Sequence, residues 1–86
     1  MKLIHDCSLQ TLRDCYAIVF YDDGGQHLLE VNESLALLFQ RAKAGSFSAE
    51  TLASVLQEYY ELPHETAVSE AAKAISLWTL YRLTEP

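Results

Sequence analysis

The clearest pattern along the chain is a change of period. From Tyr16 to Tyr21 every position except Ala17 is aromatic or β-branched, the composition of a strand. Asp22-Asp23-Gly24-Gly25 follows, where Asp-Gly and Gly-Gly supply the positive φ that a two-residue hairpin turn requires. Gln26 to Val31 reads as the returning strand. Alternation puts His27, Leu29 and Val31 on one face and Leu28 and Glu30 on the other, with the Glu30 side wet. Leu9 to Arg13 is a further strand of imperfect alternation, and Met1 to Asp6 is either a short leading strand or a loose arm.

From Glu33 the apolar residues recur at helical spacing. Asn32 is placed to cap free N–H groups, and Glu33 suits the positive end of a helix dipole. Leu35, Leu38, Phe39 and Ala42 share one face of a first helix that ends near Ala44-Gly45. Ser48 caps a second helix, with Phe47 and Leu52 spaced as a hydrophobic staple and Leu52, Val55, Leu56 and Tyr59 as its stripe. Pro63 breaks that helix and opens a third, from about His64 to Tyr81, with Val68, Ala71, Ile75 and Trp78 along one stripe. The predicted fold is therefore α+β: a small antiparallel sheet of two to three strands, then three helices sharing one core with its inner face. The last two helices are expected to pack as a helix-turn-helix.

The 86 residues make one domain, and half of them are hydrophobic, as in a folded globular protein. A net charge of −6, with the basic residues Lys2, Arg13, Arg41, Lys43, Lys73 and Arg82 scattered, argues against nucleic acid and anionic membranes as partners. No apolar run reaches the roughly 20 residues of a membrane span, and the N-terminus lacks the pattern of a signal peptide. Cys7 and Cys15 are too few and too loosely spaced for a disulfide framework or a zinc site; they read as reduced thiols in a cytoplasmic protein, with a cross-strand disulfide as the alternative.

Candidate chemistry is sparse. Gly24-Gly25 opens no helix and so is no phosphate loop, and no serine sits in a nucleophile elbow. His5 with Cys7, and His64 alone, lack the spacing of metal ligands. The chain reads as a non-catalytic binding module without cofactor or metal. Its most useful feature is the strand Gln26–Val31: if it lies at a sheet edge, its outer N–H and C=O groups are free to pair with an extended peptide.

Three runs point to a family. Leu9 to Asp22, Gly25-Gln26-His27-Leu28-Leu29 and Asn32 to Leu38 together resemble the PqqD-like peptide chaperones. These are also called RiPP recognition elements, after ribosomally made, modified peptides. Gly24-Gly25-Gln26-His27-Leu28-Leu29 resembles the Gly-x-x-His-Leu-Leu-like signature of the branch found beside HPr-kinase-like proteins. The likeness extends through the Ser48–Leu52 helix start to the Leu83-Thr84-Glu85-Pro86 tail. One departure is Arg82, where many members carry glycine; a left-handed cap is costly for arginine, so the third helix is expected to end differently.

The resemblance implies a small winged helix-turn-helix-like domain without catalytic activity. Such a domain binds the leader segment of a precursor peptide as an added strand, in a groove shared with the third helix, and presents it to a modifying enzyme. Carried over by position, pairing falls to Gln26, His27, Leu28, Leu29, Glu30 and Val31, and the groove wall to Glu70, Lys73, Ala74, Leu77 and Tyr81. The alternatives are a domain that dimerises through the same edge, or one that regulates a kinase-like partner. DNA binding is a further alternative, but the third helix offers only Lys73 against Glu65 and Glu70.

Overall fold

Two tight hairpins build the sheet. In the computed structural model, which describes residues 1–85, strand β3 (Tyr16–Asp22) pairs antiparallel with β4 (Gly25–Val31), and Ile18 lies opposite Leu29. The turn between them is two residues long, as the glycines predict. The positive φ, however, falls at Gly25 (105°), just after the turn centre. Asp22 supports the corner: its carboxylate accepts the Gly24 N–H at 2.7 Å. On the other side of β3 lies β2 (Cys7–Thr11), so the sheet order is β2-β3-β4 and β4 is an edge. The strand expected over Leu9–Arg13 starts earlier and stops at Thr11. Leu12 N–H already closes the next turn onto the Cys15 carbonyl, leaving Arg13 and Asp14 at its centre.

The leading segment is a short strand and not a loose arm, and it lies outside that sheet. β1 (Lys2–Leu3) pairs antiparallel with β5 (Thr84–Glu85), a strand that the residue pattern did not predict. Ile4 N–H donates to the Leu83 carbonyl, and Phe47 N–H to the Met1 carbonyl, both at 2.8 Å. Leu3 and Leu83 are buried beneath this clasp. Pro86 lies outside the described residues.

The helices start where the caps predict. α1 (Glu33–Lys43) is capped by Asn32, whose side-chain oxygen accepts the Leu35 N–H, and α2 (Ala49–Tyr60) by Ser48, which accepts from Thr51. α3 (His64–Leu80) begins just after Pro63, whose carbonyl accepts the Ala67 N–H. The buried faces differ from the predicted stripes in a consistent way. α2 buries Leu52, Ala53 and Leu56, while Tyr59 stays exposed; α3 buries Ala67, Ala71, Ala74 and Trp78, with Val68 and Ile75 only half-buried. The small Ala53, Ala67, Ala71 and Ala74 let α2 and α3 approach closely, and the larger Val55, Val68 and Ile75 are left half-buried at the margins. Trp78 fills the centre, with the rings of Phe39 and Phe47 edge-on at 6.0 and 5.7 Å.

The end of α3 overturns one expectation. Leu83 N–H reaches back to the Trp78 carbonyl and Arg82 N–H to that of Thr79, a Schellman closure, with Arg82 left-handed at φ 61°. The helix thus ends as glycine would end it, although arginine occupies the position. Burial of Leu83 and pairing of Thr84–Glu85 with β1 hold that turn in place. Left-handed backbone costs a non-glycine residue roughly 1–2 kcal/mol, part of which glycine would return as unfolded-state entropy. Arg82→Gly should therefore stabilise the fold by about 0.5–1 kcal/mol, a rise of a few degrees in thermal midpoint. A lower midpoint would mean that guanidinium contacts outweigh the backbone strain.

Candidate functional site

The pairing register decides which groups of β4 are free. In an antiparallel pair, residues that exchange both hydrogen bonds alternate with residues that exchange none. The two-residue turn makes Asp22 and Gly25 a bonded pair, so His27, Leu29 and Val31 also point their backbone groups at β3. The neighbouring hairpin gives the same phase: Leu12 bonds Cys15, which turns Ala17 and Val19 toward β2 and leaves Tyr16, Ile18 and Phe20 for β4. Gln26, Leu28 and Glu30 therefore direct N–H and C=O outward along the open edge. Of the six residues expected to pair with a peptide, these three are set to do so; His27, Leu29 and Val31 are already used within the sheet.

The two faces follow the predicted alternation. Val31 is buried and Leu29 half-buried toward the helices, whereas Leu28 is 64% exposed on the opposite side with Glu30. His27 is held rather than free. Its ring stacks on Phe20 at 5.2 Å, and Nε2 lies 2.7 Å from the Asp22 carboxylate. That contact, helped by the Gly24 N–H, holds the Asp22 carboxyl below its ordinary 3.8. A lowered carboxylate pKa stabilises the fold above the unfolded value and loses this contribution as pH falls through the folded one. The Gly24 amide resonance should thus show an acidic transition below about pH 3.8 that is absent from Asp22→Asn.

α3 comes close to the sheet near the two ends of β4. Near the start of β4, Tyr81 packs on the Phe20 ring at 5.6 Å, the same ring that carries His27. Near the end of β4, Glu70, Lys73, Ala74 and Leu77 line a cavity together with Asn32, Ser34 and Leu35. The helix therefore passes the strand in the opposite direction. The cavity measures about 550 Å³, and Leu38, Leu56, Tyr60 and Leu62 complete its lining. Its floor and walls are mostly aliphatic, a shape suited to an apolar side chain.

Four of the five expected groove residues thus meet in one cavity, but not all in the expected role. Ala74 is 1% exposed and belongs to the core stripe, so it forms floor rather than wall. Tyr81 stands at the other end, in a separate depression with Tyr21, Leu80 and Arg82. Lys73 and Glu70 form an exposed ion pair at 3.3 Å, of a kind that adds at most about 1 kcal/mol. Residue patterns missed Leu35, Tyr60 and Leu62 as lining. Leu35 is predicted as core, yet it is only half-buried because it faces this cavity. Leu62 offered a signal, an apolar residue directly before the helix-opening Pro63.

The thiols are apart. Cys7 is buried opposite Phe20, with its Sγ 3.3 Å from the Ile4 carbonyl, whereas Cys15 lies beyond the far end of β3. At about 3.4 Å per residue this separates them far beyond disulfide reach. Burial pushes the Cys7 thiol up, so it behaves as a core residue. His64 makes only surface contacts with Glu50 and Gln57, at 3.6 and 3.4 Å. No helix among the described residues is long and apolar enough to cross a membrane. In comparisons with known proteins, no family model, curated protein or solved structure matches this chain.

Proposed function

We propose that this domain is a non-catalytic peptide chaperone of the cytoplasm. It binds a segment of a ribosomally made precursor as a strand added to β4 and presents it to a modifying or kinase-like enzyme. One observation carries the reading: β4 is a sheet edge with outward groups at Gln26, Leu28 and Glu30, and an apolar cavity formed with α3 opens just past its end, at Asn32. Main-chain pairing supplies affinity without sequence preference, and the cavity supplies selectivity through one bulky apolar side chain. Burying such a side chain contributes about 1.5–3 kcal/mol. With a short edge and one anchor, micromolar binding is expected, roughly −8 kcal/mol. Family resemblance along Gly24–Leu29 and Asn32–Leu38 supports the same role.

A second reading follows from Leu28. An exposed leucine on an open edge also suits a second copy of the chain, paired edge to edge about a two-fold axis. The test is an amide NMR titration of the labelled domain with short peptides encoded beside its gene. Shifts concentrated at Gln26–Val31 and along the cavity side of α3 are the expected result. No response to any peptide, together with line widths that grow with protein concentration, would favour self-pairing instead.

A further inference from the structure

A second, smaller cavity lies beyond the far end of β4. It measures about 260 Å³ and is lined by Tyr16, by Tyr59 and Tyr60 at the end of α2, and by Glu33 in the first turn of α1. An adjoining cleft shares Tyr16 and Glu33 and continues to Glu30, the last outward-pairing residue of the edge, and to Asp14. Three of the chain's five tyrosines thus gather around one small space. None of the six lysines and arginines lines either hollow, and Asp14, Glu30 and Glu33 form no ion pair among the described residues.

Tyrosine faces attract cations through their ring quadrupole, and an adjacent unpaired carboxylate adds Coulomb attraction. The Tyr60 hydroxyl feels that carboxylate: desolvation first, and then the charge of Glu33, push its pKa up. A cation placed there would complete a site that has aromatic walls and negative charge and lacks a positive group. We propose that the Tyr16–Tyr59–Tyr60–Glu33 cavity binds the lysine or arginine side chain of the peptide that adds to β4. The choice of occupant rests on the strand-addition reading. The cleft leading from Glu30 into the cavity connects the two sites, and a long cationic side chain leaving the strand end follows that path.

The test has two parts that fail separately. In the first, the labelled domain is titrated with N-acetyl-lysine amide and with its neutral analogue N-acetyl-norleucine amide. The lysine compound should shift the Tyr16, Glu33, Tyr59 and Tyr60 amides, the norleucine compound should not, and Glu33→Gln should weaken the response about fivefold. Equal or absent responses to the two compounds overturn the cation site whatever happens at β4. In the second, random peptides displayed on phage are selected on wild type and on Glu33→Gln. Wild type should enrich a lysine or arginine at one fixed position, and the variant should lose that enrichment while its peptides still shift Gln26–Val31. Peptides that shift Gln26–Val31 without any basic preference overturn the proposal and leave strand addition standing. Selective lysine binding with no peptide at β4 overturns the occupant and the strand-addition reading together.

Discussion

Trp78→Ala should leave the domain unfolded or barely folded at 37 °C. Trp78 is fully buried at the meeting point of α1, α3 and the Phe47 loop, and two phenylalanine rings rest edge-on against it. Truncating such a residue costs about 3–5 kcal/mol, the lost transfer energy plus the cavity left behind. A domain of this size holds only roughly 4–13 kcal/mol in total. The chemistry of the site separates size from polarity. Indole Nε1 is buried without a hydrogen-bond partner among the described residues, and an unpaired buried donor is itself destabilising by about 1–3 kcal/mol. Trp78→Phe removes that donor while keeping most of the ring, so its loss should be less than half that of alanine. Urea denaturation followed by circular dichroism measures both. Equal losses for the two variants would mean that Nε1 is satisfied in solution, for example by water.

The second large effect concerns binding. Leu28→Pro should leave the domain folded and weaken an added peptide ten- to a hundredfold, the loss of an outward N–H donor plus a ring in the way of the incoming strand. Proline is tolerated on an edge strand where the missing N–H faced solvent. Leu29→Pro, one residue further, removes a bond to Ile18 and should instead destabilise the sheet by about 3 kcal/mol. Leu28→Ala separates the side chain from the backbone, because it keeps the donor and should bind within a few-fold of wild type. The contrast between adjacent positions is what strand addition requires. If Leu28→Pro and Glu30→Pro both fold and bind like wild type, the peptide does not use this edge.

Much of this architecture was legible in the residue pattern, for local reasons. A strand of alternating faces, a glycine-rich turn, and caps at Asn32 and Ser48 depend on bonds within a few residues, so the hairpin and the helix starts fall where the chain predicts them. The exposure of Leu28 and Glu30 against Val31 follows from the same alternation once the strand is placed, whereas the edge position of β4 follows from the strand order.

Other features depended on which elements meet. The burial stripes of α2 and α3 shifted toward alanines because two helices packed closely favour small residues at their seam, a preference no single helix reveals. The clasp of Lys2–Leu3 with Thr84–Glu85 joins opposite ends of the chain, and nothing in either dipeptide names its partner. Arg82 shows the same limit: local propensity disfavours a left-handed arginine, but the buried Leu83 and the pairing beyond it outweigh that preference. The candidate site divides along the same line. The two faces of its strand were written in the alternation of Gln26–Val31, because pleat and pairing have a period of two. Its cavity, which brings Leu35, Tyr60 and Leu62 together with Lys73 and Leu77, was decided only when three helices closed on one another.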